Sequence, residues 1–246
     1  MLLFFIANQI DRDMIFLRSL LFNSLFYGGT ALISIACMPA IFLPSIFARK
    51  LGIFWGWYTN KILALALIRH KITGELHKDR QVIYAAKHQS AWETMSLCWR
   101  LDAPVIILKK ELISIPFVGA LMKAAGSIAV DRKAGMKALR QLRADAVSRK
   151  ETGRSFLIFP QGTRVFSGQK ADYQIGVYTL YEATGLPVVP LALNSGRFWG
   201  PRAFAKKPGQ IEVAALPLIE PGLSRKEFMH QLEEAIETEM TRLEAE

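Results

Sequence analysis

Hydrophobic and polar positions divide this chain into two unlike parts. From Ser19 to Ala48 no residue is charged, and the run closes on Arg49-Lys50. A membrane-crossing helix needs roughly 20 apolar residues, so this stretch is long enough to be one. It is too long for the core of a signal peptide, and no small-residue cleavage pattern follows it cleanly. Gly28-Gly29, Pro39 and Pro44 interrupt the run, which fits either one kinked span or a re-entrant hairpin. A second apolar stretch, Leu51 to Ile68, carries Trp55, Trp57 and Tyr58 with Lys61 as its one charge, a composition suited to the headgroup layer. Basic residues downstream of the Ser19–Ala48 run (Arg49, Lys50, Lys61, Arg69, Lys71) outnumber Arg12 and Arg18 upstream of it. That bias puts the rest of the chain on the cytoplasmic side. The competing expectation is a buried core hairpin of a soluble protein.

Beyond this region, short apolar runs alternate with longer amphipathic ones. Strands are predicted at Gln81–Ala86, Val105–Leu108, Ser127–Val130, Ser155–Phe159, Val188–Leu193 and Ile211–Leu216. Helices are predicted at Ser90–Arg100, Phe117–Ala125, Ala134–Lys150 and Ile175–Ala183, and from Ser224 onward. The last opens with a capping box, Ser224-x-x-Glu227. Its stripe of Phe228, Leu232, Ile236, Met240 and Leu243 is ordinary helix packing. Alternating strands and helices imply an α/β sheet with helices on its faces.

Composition narrows the function. The 246 residues are 51% hydrophobic with a net charge of +10, which points to an anionic membrane surface or anionic substrates. Nucleic acid is disfavoured, since the basic residues are scattered and no zinc-finger, RNA-binding or basic-heptad signature occurs. Two isolated cysteines, Cys37 and Cys98, form no disulfide framework and no redox pair, which fits a reducing compartment. Four dispersed histidines and no HExxH give a bound metal no support.

Two segments carry candidate chemistry. His88-Gln89-Ser90-Ala91-Trp92-Glu93 puts a potential general base five positions before a carboxylate, and Phe159-Pro160-Gln161-Gly162-Thr163-Arg164 puts glycine and arginine in a turn leaving a strand. Five residues on one helix turn a side chain by about 140°, so His88 and Glu93 meet only with His88 at the strand exit and Glu93 in the first helical turn. Ser90 suits that arrangement as the N-cap. The same spacing makes Ser90-x-x-Glu93 a capping box, so Glu93 either caps, orients His88, or does both. The helix N-terminus disfavours imidazolium at His88 while Glu93 favours it. Lys109-Lys110, Asp131-Arg132 and Gln161 to Arg164 each follow a predicted strand, so all converge on one rim with His88 if those strands run parallel. Asp131 is an alternative partner for Arg132, and Lys109 and Lys110 are equivalent candidates.

These residues resemble the 1-acylglycerol-3-phosphate acyltransferases, the lysophosphatidic acid acyltransferase family of bacterial membranes. The resemblance covers about residues 82–216. His88 to Glu93 is similar to that family's H-x4-D motif with Glu for Asp. Gly126 to Arg132 is similar to its second block, Phe159 to Arg164 to F-P-E-G-T-R with Gln161 for Glu, and Val189-Pro190 to its fourth. It implies an α/β fold with a mixed, largely parallel sheet flanked by helices, a membrane-anchoring region at 1–72 and an acyltransferase domain at 73–246. It further implies acyl transfer from acyl-CoA or acyl-carrier protein to the free hydroxyl of a membrane lysophospholipid, with no cofactor, at the cytoplasmic face of a bacterial inner membrane. His88 would be the base and Glu93 its partner, without an acyl-enzyme. Arg164, Arg132 and Lys109 would hold the phosphate, with Gly162, Thr163 and Gln161 shaping the turn. Gln161 carries no charge, which excludes a catalytic carboxylate there and leaves it to bind through hydrogen bonds or organise the loop. Rival expectations are an acyltransferase for another lysolipid such as a lyso-aminolipid, a hydrolase, and a non-catalytic basic lipid-binding protein.

Overall fold

The amino-terminal apolar sequence folds back on itself. In the computed structural model, which describes the backbone of residues 2–245 and side chains from residue 9, helix α1 (Leu2–Ala36) turns through a short 3-10 segment (Met38–Phe42) into α2 (Ser45–Leu63). Pro39 and Pro44 sit in the break, where a missing amide and fixed φ end regular helix. Gly28 and Gly29, expected to interrupt the run, lie inside α1 instead. A Cβ on Gly29 would strike the Tyr58 ring, so this glycine serves helix-on-helix approach. Trp55 Nε1 donates to Thr30 Oγ1 (3.0 Å) and Tyr58 OH to Leu25 O (2.9 Å), which makes the two helices antiparallel.

Gln9–Ala36 is long and apolar enough to cross a membrane by length and composition. One face of it is docked all the same. Phe22, fully buried, meets Trp199 edge-on at 5.0 Å, and Phe26 does so at 5.3 Å. Ser19 Oγ accepts from Lys206 N (2.8 Å) and Asn23 Nδ2 donates to Phe204 O (3.0 Å). The outer face leaves Phe16, Leu17, Leu21, Leu32 and Ile35 exposed. The stretch expected at a headgroup layer, Leu51 to Ile68, is largely core on one side. Gly56, Thr59 and Asn60 of α2 are buried, and Asn60 Oδ1 accepts from Trp92 Nε1 (3.0 Å) of the following domain.

Seven strands form one sheet in the order β1-β7-β6-β2-β5-β3-β4. They are β1 (Ile68–Thr73), β2 (Ile83–Ala86), β3 (Val105–Lys109), β4 (Ile128–Val130), β5 (Phe156–Ile158), β6 (Val188–Leu193) and β7 (Gly209–Ala215). Every pairing is parallel except β6 with β7. The parallel core strands are the apolar runs seen in sequence, and β2 and β6 are buried throughout. Strand β1 went unrecognised because Arg69 and Lys71 alternate with Ile68, His70 and Ile72 at the sheet edge, where charge blunts further pairing. It lies across the expected 72/73 boundary, so the sheet begins at Ile68. Helices α3 (Trp92–Arg100), α4 (Val118–Ala124), α5 (Met136–Lys150), α6 (Gly176–Thr184) and α7 (Arg225–Ala245) cover the faces. Ser224 and Glu227 exchange the expected capping-box bonds, and the five-residue stripe of α7 is buried.

Lys206, 2% exposed, donates Nζ to Ala203 O and Phe204 O and sits over the Phe22 and Trp199 rings. Burial pushes it from 10.5 down to about 8. Between those values the folded chain binds fewer protons than the unfolded one, so this residue's contribution to stability grows as pH rises through the window and its desolvation cost is complete below it. The stability difference between the parent and Lys206→Met should therefore shift in the parent's favour as pH rises from about 8 to 10.5. Chemical denaturation across that range checks it, and a flat difference contradicts it.

Candidate active site

Because β2, β5, β3 and β4 are parallel neighbours, their carboxyl ends deliver His88, Gln161, Lys109 and Arg132 to one rim. His88 lies just past β2 and Glu93 in the first turn of α3, as the spacing required. His88 Nδ1 is 2.9 Å from Glu93 Oε1. A carboxylate only accepts, so Nδ1 carries the proton and Nε2 is left as a base. Nε2 has no hydrogen-bond partner among the described residues, and the side chain retains 13% exposure.

Capping and orienting turn out to be done by one oxygen. Glu93 Oε1 also accepts from Gln89 N (2.7 Å) and Ser90 N (2.6 Å). Ser90 returns the bond to Trp92 N (3.2 Å) rather than to Glu93 N, since regular helix starts at Trp92. Glu93 Oε2 accepts from Ser195 Oγ (2.8 Å), just beyond β6. Both side chains are fully buried. Ser195 was invisible in the sequence, being 102 positions from its partner.

The partner turn is fastened to the base. The Phe159 ring stacks on the His88 imidazole with centroids 4.0 Å apart at 20°. Gln161, 3% exposed, accepts from His88 N through Oε1 (3.1 Å), and Val165 N donates to His88 O (2.8 Å). Gln161 therefore organises the loop, and its buried Nε2 has no partner among the described residues. Gly162 adopts φ +67°, and a Cβ there would fall 2.7 Å from the Arg132 guanidinium. Glycine is required twice over, for its backbone and for the arginine lying across it.

The cations are sorted by their partners. Asp131 takes Lys110 Nζ (3.1 Å) and Lys133 N (3.1 Å), not Arg132, and these bonds hold its carboxyl below the ordinary range. Among the described residues, Lys109, Arg132 and Arg164 have no acidic partner within ion-pair distance. Partial desolvation lowers Arg132. Lys109 is half-buried, and Arg164 and Thr163 are exposed beside the turn. Desolvation pushes the Cys98 thiol up to about 12, against its use as a nucleophile. The one described group with metal-ligand geometry, Glu75, His77 and Asp79, follows β1 at the opposite rim.

An acyltransferase family model matches residues 68–194, just over half of the chain and all of these rim loops up to Asn194. The chain belongs to the acyltransferase family. A 1-acyl-sn-glycerol-3-phosphate acyltransferase of Pseudomonas aeruginosa is 36% identical over 162 residues, covering 65% of this chain and 62% of that protein. One from Limnanthes douglasii is 29% identical over 151 residues, covering 61% and 54%. The matched stretch thus spans less than two thirds of either curated relative. The crystal structure of the 1-acyl-sn-glycerophosphate (LPA) acyltransferase PlsC from Thermotoga maritima aligns with a TM-score of 0.72 at 21% identity, over 97% of this chain and 98% of that one. This acyltransferase-family chain shares that fold, helical hairpin region included.

Ser195→Ala should cost about 1–3 kcal/mol, because it leaves a buried carboxylate oxygen without its donor. Equilibrium unfolding measures this, and a change within about 0.5 kcal/mol, the range of a neutral surface substitution, would contradict the assigned bond.

Proposed function

We propose that this protein transfers a fatty acyl group from acyl-CoA or acyl-carrier protein to the free sn-2 hydroxyl of 1-acylglycerol-3-phosphate, forming phosphatidic acid. One observation carries the reading. A histidine whose Nδ1 is committed to a buried carboxylate presents Nε2 beside a turn crossed by an arginine that, among the described residues, has no carboxylate within ion-pair distance. A base beside unspent cations suits a hydroxyl borne on an anionic molecule. Family membership and the relatives' names support the same chemistry.

In the proposed mechanism His88 Nε2 takes the hydroxyl proton as the oxygen attacks the thioester carbonyl. The tetrahedral intermediate then expels the thiolate, which recovers that proton from the imidazolium. Glu93 stabilises the imidazolium between the two steps. No acyl-enzyme forms, and the thiol of Cys98 supports none. Arg164, Arg132 and Lys109 hold the phosphate, as guanidinium forks match its oxygens. Gly162 and Thr163 shape the turn, and Gln161 ties it to His88. No cofactor takes part. The exposed apolar face of α1 would seat the protein in a bacterial inner membrane with the site on the cytoplasmic side, where the lysolipid lies.

Purified protein in mixed micelles, given labelled acyl-CoA and a panel of lysolipids, tests the reaction. Acylation of a lyso-aminolipid in preference to the phosphorylated acceptor would overturn the acceptor assignment. Thioester loss without any acceptor would point to a hydrolase. His88→Ala should lower turnover by roughly 10²–10⁴ with the circular dichroism spectrum intact, as expected for loss of a general base; retained turnover would sink the mechanism. Arg164→Ala should raise KM for the phosphorylated acceptor about tenfold, the scale of one charge-assisted bond. An unchanged KM would remove Arg164 from phosphate binding.

A further inference from the structure

The closing helix reaches back to both halves of the site. Glu237 Oε1 accepts from Lys87 Nζ (2.6 Å), beside the base, and from Tyr173 OH (2.9 Å), in the irregular segment between β5 and α6. Glu244 Oε1 accepts from Gln89 Nε2 (3.2 Å), on the other side of the base, and from Ser167 Oγ (3.0 Å) and Gly168 N (2.8 Å), just past the cationic turn. Seven residues make nearly two helical turns, so both carboxylates lie on one face of α7. Lys87 and Gln89 turn toward that face, while His88 between them turns toward Glu93 and Phe159. Each carboxylate therefore joins the loop that carries the base to the loop that carries the turn.

Such bracing has something to hold. No regular element occupies residues 159–174, and a connection of that length is uncommon unless functional. Among the described residues, the direct links between the loops are His88 N to Gln161, Val165 N to His88 O and the ring stack, all between Phe159 and Val165. From Ser167 to Tyr173, among the described residues, the hydrogen bonds that leave the segment run to α7, and Tyr173 also packs in the core.

We propose that Glu237 and Glu244 are positioning residues that fix the register between His88 and the Gln161–Arg164 turn; this rests on the acyl-transfer reading above. A lysophospholipid whose phosphate is held at the turn must bring its hydroxyl to His88 Nε2, so the spacing between the loops decides whether the bound acceptor reacts. A misplacement of about 1 Å can cost on the order of 10²-fold in rate. Neither carboxylate touches a reacting atom.

Glu244 is the better probe, since removing Glu237 strands the buried Lys87 ammonium. Steady-state kinetics compare the parent, Glu244→Ala, Arg164→Ala and the double variant. Glu244→Ala should lower kcat/KM for the phosphorylated acceptor about tenfold, and should cost less than about twofold once Arg164 is already gone, because coupled residues are not additive. Equal losses in both backgrounds would mark a merely structural residue and overturn the proposal, as would full activity of Glu244→Ala. Ser167→Ala, which removes one bond from the loop side without touching α7, should show a smaller loss of about threefold with the same non-additivity, the scale of one hydrogen bond. It decides the matter if the helix variant fails to fold, and an unaltered kcat/KM or an additive loss overturns the proposal.

Amide hydrogen exchange reads the brace without turnover, so it survives failure of the functional reading. Exchange should rise in both residues 87–91 and 161–174 of Glu244→Ala. A rise confined to α7 would overturn the brace.

Discussion

The Glu93 carboxylate is the point on which the site is assembled. It has no solvent exposure and, among the described residues, no Lys or Arg within ion-pair distance, so its oxygens depend on hydrogen-bond donors in place of water. Four donors supply what water would have: the His88 ring, two successive amides at the start of α3, and the Ser195 hydroxyl. The helix N-terminus adds its own favourable field. Because those donors come from the exits of β2 and β6, the carboxylate can form its full set only when these two strands are parallel neighbours, as they are. Sheet topology and the bonding of Glu93 are thus one requirement. A side chain one methylene longer than the family's aspartate suits this, since from the first turn it reaches back over two amides to the ring.

Around that centre, charge is arranged by what has been consumed. Lys110 goes to Asp131, Lys87 to Glu237, and Arg154 to the carbonyls of Ala103, Pro104 and Ala125. Among the described residues, Lys109, Arg132 and Arg164 at the carboxyl rim have no acidic group within ion-pair distance, and Arg132 is laid across a glycine that leaves it room. Under the proposed function, cations without an ion-pair partner at a partly desolvated rim would raise the local concentration of an anionic substrate. The uncharged Gln161 fits this economy. A glutamate in its buried place would add a carboxylate beside the glycine that Arg132 crosses, whereas the amide fastens His88 N without adding charge.

Local patterning carried most of the fold into view and much of the site. The buried parallel strands were legible because their apolar runs are short and bounded by turn residues, and the α7 capping box and stripe because both repeat at helical spacing. Geometry over five residues set the condition for a His88–Glu93 pairing and left it open against a plain capping box. Strand β1 was not legible, because an edge strand that alternates with Arg69 and Lys71 reads as the charged flank of an apolar helix. Gly29 was misread because its purpose is the Tyr58 ring on another helix. Ser195, Glu237 and Glu244 were missed for one reason: each meets its partner across 64 to 155 residues, and a lone Ser or Glu carries no periodic signal for where the chain will bring it.

The segment from Ser195 to Lys206 connects the two unlike parts of the chain. Its first residue bonds Glu93; Trp199 takes Phe22 and Phe26 of α1 against its ring; Lys206 N is bound by Ser19. These contacts fix where the apolar helix lies relative to the base, and they do so through buried aromatic and backbone groups rather than exposed ion pairs, which salt would weaken. Under the proposed acyl transfer, an acceptor that keeps its acyl chain among the lipids while its hydroxyl meets His88 would require a constant height between bilayer and base. A helix held by rings and amides to the same twelve-residue stretch that clamps the Glu93 carboxylate meets that requirement. A flexible tether would not, since the hydroxyl would then sample many depths and reach Nε2 in few of them.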